Sequence, residues 1–229
     1  MRILGLQNLT LLDYPGKTAC TVFTGGCNLR CPFCHNAPLV VGKMEGEIAE
    51  EEFFAFLEKR KRILDGVAVT GGEPLLHPDA PEFLAKIKSL GYSVKLDTNG
   101  TFPDALETVI KEKLVDRIAM DIKNCPEKYG ETVGRENFDI APIERSIALI
   151  KESGIDYEFR TTVSATFHTE EDLLALGRWI SPAKFYAIQA FKTTGELLGD
   201  NIVGYDENTL RNFVNMLKPY FETVVLRGV

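Results

Sequence analysis

Residues 18–34 read TACTVFTGGCNLRCPFC. The first seven alternate apolar and β-branched residues, the pattern of a buried strand. Gly25-Gly26 ends the run, and Cys27, Cys31 and Cys34 follow in the loop at a C-x-x-x-C-x-x-C spacing. Thiolates are soft ligands, suited to zinc or to iron–sulfur clusters. Three unligated core cysteines would have no reason to share one short Gly/Pro-flanked loop. Structural zinc sites close with four protein ligands, often as paired C-x-x-C units. No second pair exists here, and His35, Cys20 and Cys125 are the candidates for a fourth ligand, none at a convincing spacing. Three thiolates on a four-iron cluster would leave one iron open to a small molecule.

Outward from this stretch, element types alternate. Strand-like runs fall at 18–24, 67–70, 93–98, 117–122, 157–163 and 184–191. Helical spacing lies between them: Phe83, Ile87 and Leu90, with Pro81 before and Gly91 after, then Ile143, Ile147 and Ile150, with Pro142 and Gly154. Pro in the first turn and Gly past the last is the expected asymmetry. Further helices are expected over about 170–180, with Thr169 as N-cap, and about 207–220. Such alternation predicts βαβ units and a parallel sheet. Six units form either an open, curved partial barrel or a flat doubly wound sheet.

Polar residues resume at the C-terminal end of nearly every strand: Gly71-Gly72-Glu73, Asp97-Thr98-Asn99, Asp121-Ile122-Lys123 and Gln189, with Arg160 inside the fifth. In parallel α/β folds this is the edge where ligands bind.

The composition agrees. The chain has 229 residues, 45% hydrophobic and 26% charged, and a net charge of -7. That balance disfavours binding a phosphate backbone, so no nucleic-acid partner is expected. No apolar run approaches the ~20 residues of a membrane span. The opening MRILGLQNLTLLDYPGK carries an early Asp and no cleavage-site pattern, which points to the cytoplasm. Five cysteines, an odd number, do not suggest a disulfide framework. One domain over 1–229 is expected.

The cysteine spacing with Phe33 before the third Cys, Gly71-Gly72-Glu73-Pro74 after the second strand, and the polar strand ends in order resemble the radical S-adenosylmethionine (SAM) superfamily. LLDYPGK, FTGGCNLRCPFCHN, VTGGEPLLHP, LDTNG and MDIK narrow the resemblance to its glycyl-radical-enzyme activases. The resemblance implies a partial (β/α)6 barrel of parallel strands, a [4Fe-4S] cluster on Cys27, Cys31 and Cys34, and SAM on the open iron. It places Phe33 by the adenine and Gly71-Gly72-Glu73 at the methionyl amino group. Asp97, Thr98, Asn99 and Lys123 fall on the sulfonium, ribose and carboxylate side, and Arg160 on the methionyl carboxylate. Asp97, Thr98, Asp121 and the Ile122 carbonyl match ligands of a monovalent cation, and Asp13 a carboxylate for backbone amides of the substrate peptide. No cysteine run beyond the motif is present, so one cluster is expected. The implied partners are a large glycyl-radical enzyme, foremost anaerobic ribonucleoside-triphosphate reductase with pyruvate formate-lyase as the near alternative, and an electron donor such as flavodoxin or ferredoxin. Two other readings stay open: a radical SAM enzyme acting on a small molecule or another peptide, and a non-catalytic zinc-binding module.

Overall fold

In the computed structural model, which describes residues 1–42, 46–193 and 196–229, eight strands form one sheet in chain order. They are β1 (Ile3–Thr10), β2 (Ala19–Thr24), β3 (Gly66–Gly71), β4 (Ser93–Thr98), β5 (Arg117–Asp121), β6 (Asp156–Val163), β7 (Ala183–Ala190) and β8 (Phe221–Arg227). β1 runs antiparallel to β2, and all later neighbours are parallel. The helices are α1 (Ala37–Val41), α2 (Glu50–Arg60), α3 (Ala80–Ser89), α4 (Pro103–Lys111), α5 (Pro126–Thr132), α6 (Ala141–Glu152), α7 (Glu170–Ile180) and α8 (Glu207–Leu217).

The six expected strands are β2 to β7, and the expected α/β partial barrel is the architecture observed. Two strands were not expected. β1 carries an exposed run, Gln7-Asn8-Leu9, that breaks any alternation. β8 follows α8 through a single 3-10 turn, Lys218–Tyr220, with no loop to announce it. The helix from about 207 to 220 is therefore α8 plus that turn.

Parallel neighbours need crossover connections, and helices supply them. α3 and α6 each take Pro in their first turn. α7 starts on a capping box, in which Thr169 and Asp172 each bond the other's backbone N–H. The helices bury Phe83, Leu84 and Ile87 of α3, Leu106 and Val109 of α4, Ile143 and Ile150 of α6, and Leu173 and Leu176 of α7 in one apolar core with the strands. Each such side chain contributes about 1.5–3 kcal/mol by leaving water.

Strand periodicity of two divides the sheet into unlike faces. Val94 and Leu96 of β4, Ile118 and Met120 of β5, and Tyr157 and Phe159 of β6 join the core. Their chain neighbours Lys95, Asp97, Asp121, Glu158 and Arg160 point the other way. Flat strands lie ~4.8 Å apart, which would set β4 and β8 roughly 19 Å from each other. Yet Lys95 of β4 and Arg227 of β8 line one cavity, and Arg227 reaches Glu158 of β6 at 2.8 and 2.9 Å. The sheet curls, with its charged face inside. Among the described residues no helix is long and apolar enough to cross a membrane.

Candidate active site

The three thiols stand at the C-terminal edge of the parallel strands. The loop that carries them is tied down along its length. The backbone N–H of Arg30 donates to the Val133 carbonyl at 2.9 Å, Arg135 Nε donates to the Asn28 carbonyl at 2.9 Å, and the Cys34 N–H donates to the Cys31 carbonyl at 3.0 Å. Two donors face the Cys27 sulfur: the Leu29 N–H at 3.4 Å and Asn99 Nδ2 at 3.7 Å. Hydrogen bonds of this kind to sulfur set the potential of an iron–sulfur centre.

Gly71 and Gly72 hold the loop from below. Gly71 has φ +122, and a Cβ there would meet the Thr24 nitrogen at 2.3 Å. A Cβ on Gly72 would lie 1.8 Å from the Gly26 carbonyl oxygen. Their small size is needed for the close approach of β3 to the root of the cysteine loop. Both also line the cavity above. Glu73 does not. It is fully buried and turned toward β4, where Oε1 accepts from Leu75 N (3.0 Å) and Thr98 Oγ1 (2.8 Å) and Oε2 accepts from Asn99 N (2.6 Å). Burial pushes its carboxyl up to about 7 against the pull of these three donors. Glu73 is thus a strut that fixes the end of β4.

The cavity encloses about 250 Å³ and is lined by Cys27, Cys31 and Cys34 together with Phe33, Asp97, Thr98, Asn99, Asp121, Lys123 and Arg160. Of the residues singled out from sequence for the cluster, SAM, the cation and the peptide, Glu73, Ile122 and Asp13 are not in its lining. Thr162, Gln189, His35 and Asn36 also line it. Sequence reasoning had noted Gln189 only as a polar strand end and had missed Thr162, whose place two residues after Arg160 on β6 was a signal. Phe33 packs against Phe167 at 5.5 Å and meets His168 edge-on at 6.2 Å. His168, in the loop just before α7, is fully buried, with Nε2 2.8 Å from the Lys123 carbonyl oxygen.

The charged wall is a chain of ion pairs. Lys95 pairs with Asp97, and Arg160 Nη1 reaches Asp97 at 3.1 Å. Arg160 Nε pairs with Asp121, to which Lys123 Nζ donates at 2.8 Å. Burial works against ionisation of Asp121, but the charges of Arg160 and Lys123 outweigh it and hold the carboxyl well below the usual range. Lys123 is likewise held protonated by Asp121 despite burial. The carboxylates expected to bind a monovalent cation are therefore already matched with cationic side chains. Of the remaining expected ligands, Thr98 donates to Glu73 and the Ile122 carbonyl accepts from Thr161 Oγ1 at 2.6 Å.

A resident iron–sulfur cluster fits the donor set. Burial pushes the Cys27 and Cys34 thiols up and that of Cys31 to about 12, so ionising them calls for a cation in the cavity. Among the described residues no three His, Cys, Asp or Glu side chains converge on a point that could hold a single metal ion. No fourth protein ligand comes forward either. Cys20 is buried in β2 within the core, and Cys125 is buried at the start of α5. His35 lines the cavity, but its Nε2 sits 2.7 Å from the Lys192 carbonyl oxygen.

Asp13 borders a second cavity of about 440 Å³, which shares Asp97, Arg160 and Gln189 with the first. Thr21 Oγ1 donates to Asp13 Oδ2 at 2.6 Å.

Residues 21–180 match the Radical SAM superfamily. A protein of Methanocaldococcus jannaschii named as a candidate glycyl-radical enzyme activating enzyme is 35% identical, over 98% of this chain and 95% of its own. The pyruvate formate-lyase-activating enzyme of Staphylococcus aureus is 28% identical over 77% of this chain and 74% of its own. Among solved structures, Streptococcus suis SuiB bound to S-adenosylmethionine superposes with a TM-score of 0.69 at 17% identity, covering 90% of this chain and 49% of SuiB.

Proposed function

The chain belongs to the radical SAM superfamily and is activase-like within it, and from that premise we propose that it generates a glycyl radical on anaerobic ribonucleoside-triphosphate reductase. Cys27, Cys31 and Cys34 would hold a [4Fe-4S] cluster with one iron left for SAM. The observation that carries this reading is three thiols, without a fourth protein ligand among the described residues, rimming a cavity whose far wall is charged. When bound, the cluster would supply the one electron that reductive cleavage of the SAM carbon–sulfur bond requires, the chemistry by which a hydrogen atom would be taken from a glycine α-carbon of the partner.

The protein's own residues bind, orient and shield. SAM carries a carboxylate, an ammonium and a sulfonium. Arg160 and Lys123 offer cations to the first, and Asp97 and Asp121 offer anions to the others. Because these four groups already neutralise one another, SAM inserts by exchanging partners rather than by meeting a bare charge. Asn99 directs its amide at Cys27 while Glu73 fixes its backbone. Phe33, backed by Phe167, is an apolar wall for the adenine. Asp13, at the second cavity, accepts backbone amides of the incoming glycine segment. Flavodoxin or ferredoxin is the electron donor in this proposal. The S. aureus relative favours one second reading, with pyruvate formate-lyase as the partner.

The test sets the two partners side by side. Anaerobically reconstituted, reduced protein with SAM is mixed with each purified enzyme, and electron paramagnetic resonance reads the glycyl radical. The reductase should give the signal. A signal on pyruvate formate-lyase alone selects the second reading, and none on either, with SAM still cleaved, rejects both.

A further inference from the structure

Among the described residues, large apolar side chains stand exposed at scattered single positions, except at one place. Leu9, Leu11 and Leu12 are 54%, 68% and 87% exposed within four consecutive residues. Isolated exposed leucines are ordinary, but a contiguous group marks a surface for another molecule. The backbone beneath this group is fixed. Thr10 is buried and its Oγ1 accepts from the N–H groups of both Leu12 and Asp13 at 3.2 Å. Tyr14 is buried and its carbonyl accepts from Lys17 N at 3.1 Å. The leucines are therefore held outward on a preorganised turn, which lowers the entropy lost when a partner covers them.

The turn joins β1 to β2 and lies at the opposite end of β2 from the cysteine loop. Leu12, Asp13 and Pro15 form the edge of the second cavity. Asp13, Asp97 and Glu158 on its wall are matched by Lys95, Arg160 and Arg227, several of them directly paired. Such a wall has no surplus charge to capture an anionic small molecule. It offers alternating donors and acceptors, which suit an uncharged main chain. Asp97, Arg160 and Gln189 border both cavities, so a segment entering beside the leucines is led to the layer below the thiols.

We propose that Leu9, Leu11 and Leu12 form a docking lip on which the glycyl-radical partner seats an apolar face of its folded body while its glycine-bearing segment enters the second cavity. The inference rests on the activase reading and adds where the partner is held. Interface energy concentrates in a few buried anchors, and Leu9 and Leu11, which lie outside the cavity lining, are the ones that can be tested apart from peptide entry.

The test uses the full chain carrying Leu9→Glu and Leu11→Glu together, at positions outside the cavity lining, and a milder Leu9→Ser, Leu11→Ser pair. Both pairs change exposed positions, and thermal melting confirms folding. Glycyl radical is titrated against purified anaerobic ribonucleoside-triphosphate reductase and against a synthetic peptide spanning its radical glycine. The reductase concentration giving half-maximal signal should rise at least about tenfold in the glutamate pair, roughly 1.4 kcal/mol or more. The serine pair should shift it less, in the same direction. The plateau, peptide activation and partner-free SAM cleavage should stay at wild-type levels. An unchanged half-maximal concentration overturns the lip while leaving the activase reading intact. Wild-type protein that sediments as a dimer, split by the glutamate pair with no effect on the reductase titration, makes the lip a contact between copies and also overturns it. No glycyl radical from wild-type protein on reductase or peptide, with SAM still cleaved, overturns the activase reading and the lip together.

Discussion

β4, β5 and β6 put opposite chemistries one residue apart. Leu96 is sealed under the helices, and Asp97 next to it faces two ion-pair partners in the cavity. Phe159 and Arg160 repeat the contrast on β6, as do Met120 and Asp121 on β5. Closed barrels of this kind fill their interior with branched apolar side chains. Here the outer face alone does the apolar packing, and the inner face is free to be polar. Stability and chemistry are separated by the two-residue period of a strand.

That separation can be broken first at the thiols. Cys27→Ala, Cys31→Ala or Cys34→Ala should each abolish the cluster and SAM cleavage, whereas Cys20→Ala and Cys125→Ala should leave it intact. Iron and sulfide content after anaerobic reconstitution checks this, and full loading of a Cys31 variant would falsify the ligand assignment.

The next pair sets one face against the other. Phe83→Ala, under the helices and stacked on Phe53 at 5.5 Å, should cost about 3–5 kcal/mol in denaturant unfolding. SAM cleavage per folded molecule should not change. Arg160→Met leaves the half-buried Asp97 and Asp121 with a partner missing, a loss of about 1–3 kcal/mol, and should abolish SAM cleavage as well. Equal activity losses in the two variants would erase the distinction between the faces.

A smaller effect sharpens the contrast through pH. Burial alone would raise the Glu158 carboxyl, but Arg227 and then Arg117 outweigh it and lower it from 4.5 to about 2. A depressed folded value means stability is fully present above the unfolded value and is lost as pH falls from 4.5 toward about 2. The loss amounts to about 3 kcal/mol at most. Unfolding free energies measured across that window should slope downward toward acid, and Glu158→Gln should remove much of that slope. A wild-type profile as flat as that of the variant would contradict the pairing.

The sequence made the outer face and the cysteine loop legible for physical reasons. β2 to β7 and α3, α6 and α7 follow from local periodicity and from punctuation by Pro, Gly and Thr169, all within a few residues. β1 and β8 lie at the sheet edges, where partial burial blurs the alternation. The cross-strand links of the ion-pair chain were hidden because their partners are far apart in sequence: Asp97 and Asp121 both find Arg160, and Glu158 finds Arg227, only in the folded sheet. Glu73 was read toward the ligand, since its motif names a neighbourhood but not the direction of a side chain. His168 lies in the loop before α7, and its burial against Phe33 left no local signal because that segment looks like any helix entry.

The central claim is that the inner face and its three thiols cleave SAM reductively. Anaerobically reconstituted protein, reduced with dithionite and given SAM without any partner, should release 5′-deoxyadenosine slowly but above background by chromatography, and the Cys31→Ala variant should release none. Absence of 5′-deoxyadenosine from fully iron-loaded, fully reduced wild-type protein would contradict the claim.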